Sequence, residues 1–295
     1  MAGSVSGNFA APWPAPRATD WRIGDLAGLN IVVCMKPVPD PKHWDKIRLD
    51  PVTKTSVREG VPTVLDRLDK CALETALRLR EQQGGKVRVI SMAPPNVADN
   101  LMETLAMGAD EVYLLSDRAF GGADVLATVR TIAAGIRKIG PFDLIICGAY
   151  SSHGSTGQVG PELASYLRVP HASYVSAIEG ATDDSLTVVS NWDDGQMVIE
   201  IKLPALLTVV KEIGEPRGVS LLGLVAARGR PFVTWTLADI GLTPDEVGLK
   251  GSPTSMLDMF TPSHERRGQV LQGKPEEVAD ELLRRLAELA LLPKE

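Results

Sequence analysis

Residues 142–161 read FDLIICGAYSSHGSTGQVGP, and this stretch decides the fold. Leu144, Ile145, Ile146 and Cys147 form a short, wholly apolar run of the kind buried in a parallel sheet. A loop of glycines and hydroxyl residues follows, and residues 158–167 then have the spacing of a helix. Gly148, Gly154 and Gly157 let the backbone turn tightly and come close to a ligand, and Ser151, Ser152, Ser155 and Thr156 add hydroxyl donors. At such a junction the first N–H groups of the helix lack intrahelical acceptors and the helix dipole favours negative charge, so a phosphate can rest there. The same residues also serve as a plain strand-to-helix turn capped by Ser155 or Thr156. Local sequence leaves both readings open.

Outward from this junction the chain alternates strand and helix signals. Residues 30–36 are an apolar strand; 69–83 carry helical spacing in Leu73, Ala76, Leu77 and Arg80, and Gly84-Gly85 stops that helix. The pattern then predicts a strand at 86–92, a helix at 98–107 ended by Gly108, a strand at 111–115, a helix at 123–139 and a strand at 142–147. Alternation this regular predicts an α/β fold: a mainly parallel sheet with helices on both faces. Beyond residue 173 the pattern changes. Four β-like runs, 173–178, 186–192, 196–202 and 205–210, with the turn signal Asp193-Asp194-Gly195 between the middle two, predict an antiparallel extension of the sheet. Residues 211–274 are rich in Pro and Gly with only short helical pieces, and read as an arm lying over another surface. Residues 275–292 recover helicity, with one apolar stripe of Val278, Leu282, Leu286 and Leu289 and charges ordered to suit the helix dipole. This terminal helix either folds back on its own domain or docks onto another chain. The expected organisation is an N-terminal extension over 1–28, a nucleotide-binding α/β domain over 29–210, and a C-terminal arm with its docking helix over 211–295.

Composition narrows the function. The 295 residues are 44% hydrophobic, enough for one large core. A formal net charge of −6, with no concentrated Lys/Arg face, argues against nucleic acid or an anionic membrane as the main partner. No apolar stretch reaches the ~20 residues needed to span a bilayer, and the N-terminus lacks a basic segment followed by an apolar one; a cytoplasmic protein without membrane insertion is expected. Cys34, Cys71 and Cys147 have no metal spacing and read as reduced core thiols, and the four histidines are scattered, so no metal is expected. The strand ends at 34–40 (CMKPVPD) and 91–95 (SMAPP) match neither the dinucleotide fingerprint nor the P-loop.

Several blocks taken together do resemble a known family. VCMKPVPD (33–40), DPVTKTSVREGVP (50–62), DKCALETALRLRE (69–81), METLAMGADEVYLLSDRAFGGADVLAT (102–128), DLIICG (143–148) with TGQVGP (156–161), KLPALLTVVKEIGEPR (202–217) and VGLKGSPT (247–254) stand in the order of the β subunit of electron transfer flavoproteins. The resemblance runs from about residue 30 to the C-terminus. It implies an adenine-nucleotide-hydrolase-like fold and a heterodimer with an α subunit that carries the redox-active FAD. The β subunit holds an AMP or, in electron-bifurcating members, a second FAD. By position it places the nucleotide contacts on Cys34, Asp66, Asp69, Met92, Gly148, Gly154, Ser155, Thr156, Gly157 and Gln158. No catalytic residue is implied: the expected protein is an electron carrier rather than an enzyme.

Some blocks, REGVP, DRAF, GADVLAT and VGLKGSPT, look closer to the bifurcating branch. That branch usually carries RQAIDGDT where this chain has AYSSHGST (149–156), so a basic residue and two carboxylates are lost beside the phosphate loop. The lengthened segment 41–46 lies where the family approaches the α-subunit isoalloxazine, which makes Asp40, His43 and Trp44 candidates near that flavin, or else parts of a solvent-facing insertion. Leu221, Leu222 and Leu224 match the segment with which the family anchors on an acyl-CoA dehydrogenase; the other reading buries them within the arm. The resemblance thus implies electrons passing from an acyl-CoA dehydrogenase or similar flavin dehydrogenase, through the α-subunit FAD, to a downstream acceptor. The alternatives are a bifurcating β subunit with a second FAD and NADH as donor, and a stand-alone adenine-nucleotide-binding regulatory module.

Overall fold

The computed structural model describes residues 28–49, 56–57, 60–152, 154–255 and 268–291. The expected N-terminal extension lies outside them except for Gly28, as does His153. Two compact units, Met1–Leu257 and Asp258–Glu295, divide the chain. In the first, the elements along the chain are β1 (Leu29–Cys34), β2 (Pro37–Pro39), β3 (Arg48–Leu49), β4 (Ser56–Val57), β5 (Thr63–Leu65), α1 (Arg67–Gln83), β6 (Gly85–Met92), α2 (Ala98–Met107), β7 (Glu111–Leu115), α3 (Val125–Ile139), β8 (Leu144–Gly148) and α4 (Val159–Leu167). They continue with β9 (His171–Ala181), β10 (Ser185–Trp192), β11 (Gly195–Lys202), β12 (Ala205–Val209), α5 (Leu221–Ala227), β13 (Phe232–Trp235) and α6 (Leu237–Ile240). The second unit holds α7 (Pro275–Glu288), none of whose residues is buried.

Nine strands form one sheet in the order β11-β10-β9-β12-β8-β1-β6-β7-β13. The strand period of two sends alternate side chains to opposite faces. Ile31 and Val33 of β1 pack with Leu73 and Leu77 of α1 and Leu101 and Leu105 of α2. Val32 and Cys34 pack on the other face with Ile132 and Ile136 of α3 and Leu163 and Leu167 of α4. The helices start where carboxylates cap them: Asp66 accepts from Leu68 N–H ahead of α1, and Asp124 from Ala127 N–H ahead of α3. No helix among the described residues is long and apolar enough to cross a membrane.

Two features differ from the sequence expectation. Within the nine-stranded sheet only β10 runs antiparallel to its neighbours, β9 and β11; β12, expected with the antiparallel group, is parallel to both β8 and β9 and sits between them. A run of five fully buried residues carries no signal of direction, and the long-range pairing decides it. The arm also returns to the sheet, for β13 pairs parallel with β7 as the edge strand. Four residues flanked by Pro231 are too short to stand out as a strand in sequence.

The strand order positions the site. From β1 the chain adds β6 and β7 on one side, then returns to place β8 on the other side of β1. The carboxyl ends of β1 and β8 therefore flank a topological switch point, where open α/β sheets bind ligands.

Candidate functional site

The two strand ends are held together by one carboxylate. Asp69, in the first turn of α1, is buried; its Oδ2 accepts the N–H of Lys36 just past β1 at 2.7 Å, and its Oδ1 accepts the N–H of Gly148 at the end of β8 at 3.1 Å. Burial and then the nearby Asp66 push its carboxyl up to about 7, against the pull of these N–H groups and of Lys36. The cap residue Asp66 does a similar job one loop further on. Its Oδ1 accepts from Leu68 N–H at 3.0 Å, while Oδ2 accepts both the N–H and the hydroxyl of Ser152, at 2.8 and 2.7 Å. Both acids that sequence reasoning placed at the nucleotide thus spend one oxygen each on the loop that would carry it and the other on nearby backbone. Gly148 has a related role. A Cβ there would lie 2.7 Å from Asp69 Oδ1 and 2.8 Å from Leu68 Cβ, so glycine is needed for α1 to close on the loop.

Beyond Ser152 the loop turns outward. Ser155 (φ +50°) and Gly157 (φ +65°) are both left-handed. Ser155 N–H and hydroxyl both donate back to the Ser151 carbonyl, at 2.9 and 3.2 Å. The start of α4 is not closed by a hydroxyl: Gln158 stands at its N-cap with no side-chain cap, and Gln158 N–H reaches Thr156 Oγ1 only at 3.5 Å. Among the described residues, the N–H groups of Thr156 and Gly157 have no acceptor. Ser155, Thr156 and Gln158 are exposed around them. Lys36, from the neighbouring strand end, brings its Nζ to within 3.9 Å of where a Cβ on Gly154 would stand. Exposed amides, hydroxyls and an ammonium group at a helix start match the donor set of a phosphate.

Cys34 and Cys147 are register partners on β1 and β8, both buried in the core layer. Burial first, and Asp69 among the lesser causes, raises both thiols well above their ordinary range, so they stay protonated. Met92, at the end of β6, is half-buried against the same layer.

Comparisons with known proteins show the family. The electron transfer flavoprotein domain matches residues 53–240. An electron transfer flavoprotein subunit beta of Clostridium acetobutylicum is 44% identical over 260 residues, covering 88% of this chain and 98% of its own. The chain belongs to the electron transfer flavoprotein β-subunit family. Subunit CarD of the caffeyl-CoA reductase–Etf complex of Acetobacterium woodii is likewise 44% identical, over 262 residues with coverage of 88% and 98%. Protein FixA of Azorhizobium caulinodans is 38% identical over 242 residues, with coverage of 80% and 85%. The role of an electron transfer flavoprotein β subunit is electron carriage.

The other residues that the family resemblance singled out fall in two further places. Asp40, His43 and Trp44 lie at a 3₁₀ turn, Pro41–Lys46, where His43 Nδ1 stands 3.5 Å from Asp40 Oδ2. Leu221 and Leu222 are each 83% exposed and Leu224 50%. The cause is Gly223, which turns inward: a Cβ on it would lie 2.1 Å from the Ala106 carbonyl, so α5 lies flat on α2. Gly223 and the buried Ala227 face the protein, and the leucines are left outside.

Sequence reasoning missed the clamp that sets the arm. Arg217 donates to the buried Glu74 and to Glu81, at 2.6 Å each, its backbone N–H also reaches Glu74, and Arg78 bonds the other Glu74 oxygen at 2.7 Å. Burial alone would raise Glu74, but the bonds from Arg217 and Arg78 bring its carboxyl below the usual range. Lys36 was missed as well, although a lone lysine after an apolar strand was its available signal.

Proposed function

We propose that this chain is the β subunit of a heterodimer whose α subunit holds the redox-active FAD, and that residues 148–158 carry the phosphate of an adenine nucleotide, AMP or a second FAD. The observation that carries this reading is the open start of α4, where the Thr156 and Gly157 N–H groups have no acceptor and no hydroxyl caps the helix. In this reading those amides and the hydroxyl of Thr156 bind phosphate, with Gly154, Ser155 and Gln158 bordering it. Lys36 balances its charge. The ends of β1 and β6, with Cys34 and Met92, wall in the base, and Asp66 and Asp69 hold the loop in shape.

FAD, when bound, supplies the electron-carrying chemistry; the residues of this chain bind, orient and dock. Asp40, His43 and Trp44 stand toward the α-subunit flavin. Leu221, Leu222 and Leu224 form an exposed apolar anchor for a flavin dehydrogenase of the acyl-CoA dehydrogenase type, an arrangement in which a few residues dominate binding. In this reading the anchored dehydrogenase is the electron donor, the α-subunit FAD would carry the electrons, and a downstream acceptor receives them, with the protein itself in the cytoplasm.

A second reading, an electron-bifurcating subunit with a second FAD and NADH as donor, is favoured by the sequence blocks shared with that branch and opposed by the loss of charge at Ala149, His153 and Ser155. Cofactors extracted from the co-purified heterodimer decide between them. The expected count is one FAD and one AMP, with the AMP lost in Gly157→Val, whose side chain would be strained at φ +65°. Two FAD, both reduced by NADH with output to a low-potential acceptor, would establish the second reading. A heterodimer with no nucleotide beyond the one FAD would overturn the phosphate loop itself.

A further inference from the structure

The acid that ties the two strand ends together is itself 8% exposed. Asp69 sets one oxygen on the Lys36 N–H at 2.7 Å and the other on the Gly148 N–H at 3.1 Å. An ionised carboxylate offers about four acceptor sites, so two amides leave its charge under-compensated in a buried position. There is no room for a further group on the side of β8, where a Cβ on Gly148 would fall 2.7 Å from Asp69 Oδ1.

The neighbouring titratable groups come from three elements. On α1 they are Asp66, three residues before Asp69, and Cys71, two residues after it; Cys34 and Lys36 come from the end of β1, and Cys147 from the end of β8. Burial keeps the three thiols protonated. Of the charged groups, Asp66 opposes ionisation of Asp69 and the Lys36 ammonium favours it. Lys36 Nζ also lies 3.9 Å from where a Cβ on Gly154 would stand, so one ammonium serves both the buried acid and the loop beyond it. A phosphate on that loop draws on this ammonium and adds negative charge of its own, and both effects disfavour ionised Asp69.

We infer that binding of a nucleotide phosphate at residues 154–158 is coupled to uptake of a proton from solvent by the Asp69 carboxylate, so that affinity falls as pH rises through neutrality. The inference rests on the nucleotide reading above and makes Asp69 a positioning residue, acting through its bonds to Lys36 and Gly148. The sign follows from reciprocity: an anion binds more tightly when Asp69 is neutral, and the bound anion in turn raises the proton affinity of Asp69. Burial first, and Asp66 second, have already pushed the carboxyl up to about 7, which puts the coupling at neutral pH.

The test is calorimetric titration of the full-length heterodimer, its nucleotide removed, with AMP and with FAD from pH 6 to 8.5, in two buffers of different ionisation enthalpy, for wild type and Asp69→Asn. The second ionisation of AMP, at about pH 6, is common to both proteins and cancels in their ratio. The wild-type affinity is expected to fall about five- to ten-fold relative to Asp69→Asn across this range, with about half a proton more taken up per nucleotide at pH 7.5 than in the variant. A merely structural brace would offset the variant equally at every pH. Parallel pH profiles with equal proton uptake would therefore overturn the coupling while leaving the nucleotide reading standing. A melting curve checks that Asp69→Asn is folded; if it is not, the wild type decides alone, and an absence of net proton uptake at pH 7.5 overturns the coupling. A wild type that binds neither nucleotide at any pH would overturn both.

Discussion

Replacing Asp69 by Asn is expected to stabilise the protein above pH 7, by an amount that shrinks as the pH falls. The carboxyl is buried between the ends of β1 and β8 and is pushed from 3.8 up to about 7, by burial first and by Asp66 second. Its folded value lies above the unfolded one, so the folded state holds the proton more tightly. The stability it contributes is fully present below about pH 4 and is lost as pH rises to about 7. At about 1.36 kcal/mol for each tenfold change in proton affinity, the whole loss is roughly 4 kcal/mol. Asn neither titrates nor carries charge. Its amide oxygen accepts one of the N–H groups of Lys36 and Gly148 and its NH2 faces the other, whereas the protonated acid still accepts at its hydroxyl oxygen. Asn is therefore the weaker partner at low pH by about 1–2 kcal/mol, less than the whole loss on ionisation. Urea denaturation of both proteins without ligand, from pH 5 to 8.5, cancels in the difference the titrating groups that do not interact with Asp69. The difference should move in favour of Asn by roughly 2–3 kcal/mol between pH 5 and pH 8. A difference that stays flat, or that moves against Asn as pH rises, would refute the reasoning, because it would mean that the two N–H groups hold an ionised carboxylate at neutral pH.

Three other outcomes are expected. Leu221→Ala should change folding stability by less than about 0.5 kcal/mol, since its side chain is solvent-facing, yet slow reduction by the dehydrogenase with flavin content and dithionite reduction unaltered; an unchanged enzymatic rate would count against the anchor. Arg217→Ala should cost about 2 kcal/mol by urea midpoint, less than the full loss of a buried pair because Arg78 still bonds Glu74 and Arg217 is a third exposed; no measurable change would show that the clamp does not hold the arm. Deleting residues 275–295 should release free α and β subunits on size exclusion, since α7 carries exposed Leu282, Leu283 and Leu289; a heterodimer that survives the deletion would remove the docking role of that helix.

Most of the α/β layer was legible because its signals are local. The apolar runs at 31–34, 87–90 and 144–147, the glycines after α1, α2 and α3 and the helical spacing of Leu73, Leu77 and their neighbours operate within one or two turns of chain. The elements at 98–107 and 111–115 fall at their expected bounds, whereas α1 begins two residues earlier than expected because Asp66 caps it. The loop between β8 and α4 was legible for the same reason: glycines and hydroxyls between an apolar strand and a helix are contiguous in sequence.

What contiguity cannot express is which distant group a side chain meets. Asp66 and Asp69 were recognisable as acids beside the site, but whether they face a ligand or brace the backbone depends on Ser152, Lys36 and Gly148, which lie 86, 33 and 79 residues away. Leu221 and Leu222 could equally have been buried, and the close approach of Gly223 to the Ala106 carbonyl turned them outward. The sequence by itself determined the family, the alternating layers and the place of the strand-to-helix loop at 148–158, because periodicity, caps and turns are short-range preferences written residue by residue. Only the tertiary structure decided the direction of β12, the return of β13 to the sheet and the bracing by Asp69, because hydrogen-bond pairing and burial are settled between segments that meet only when the chain has closed.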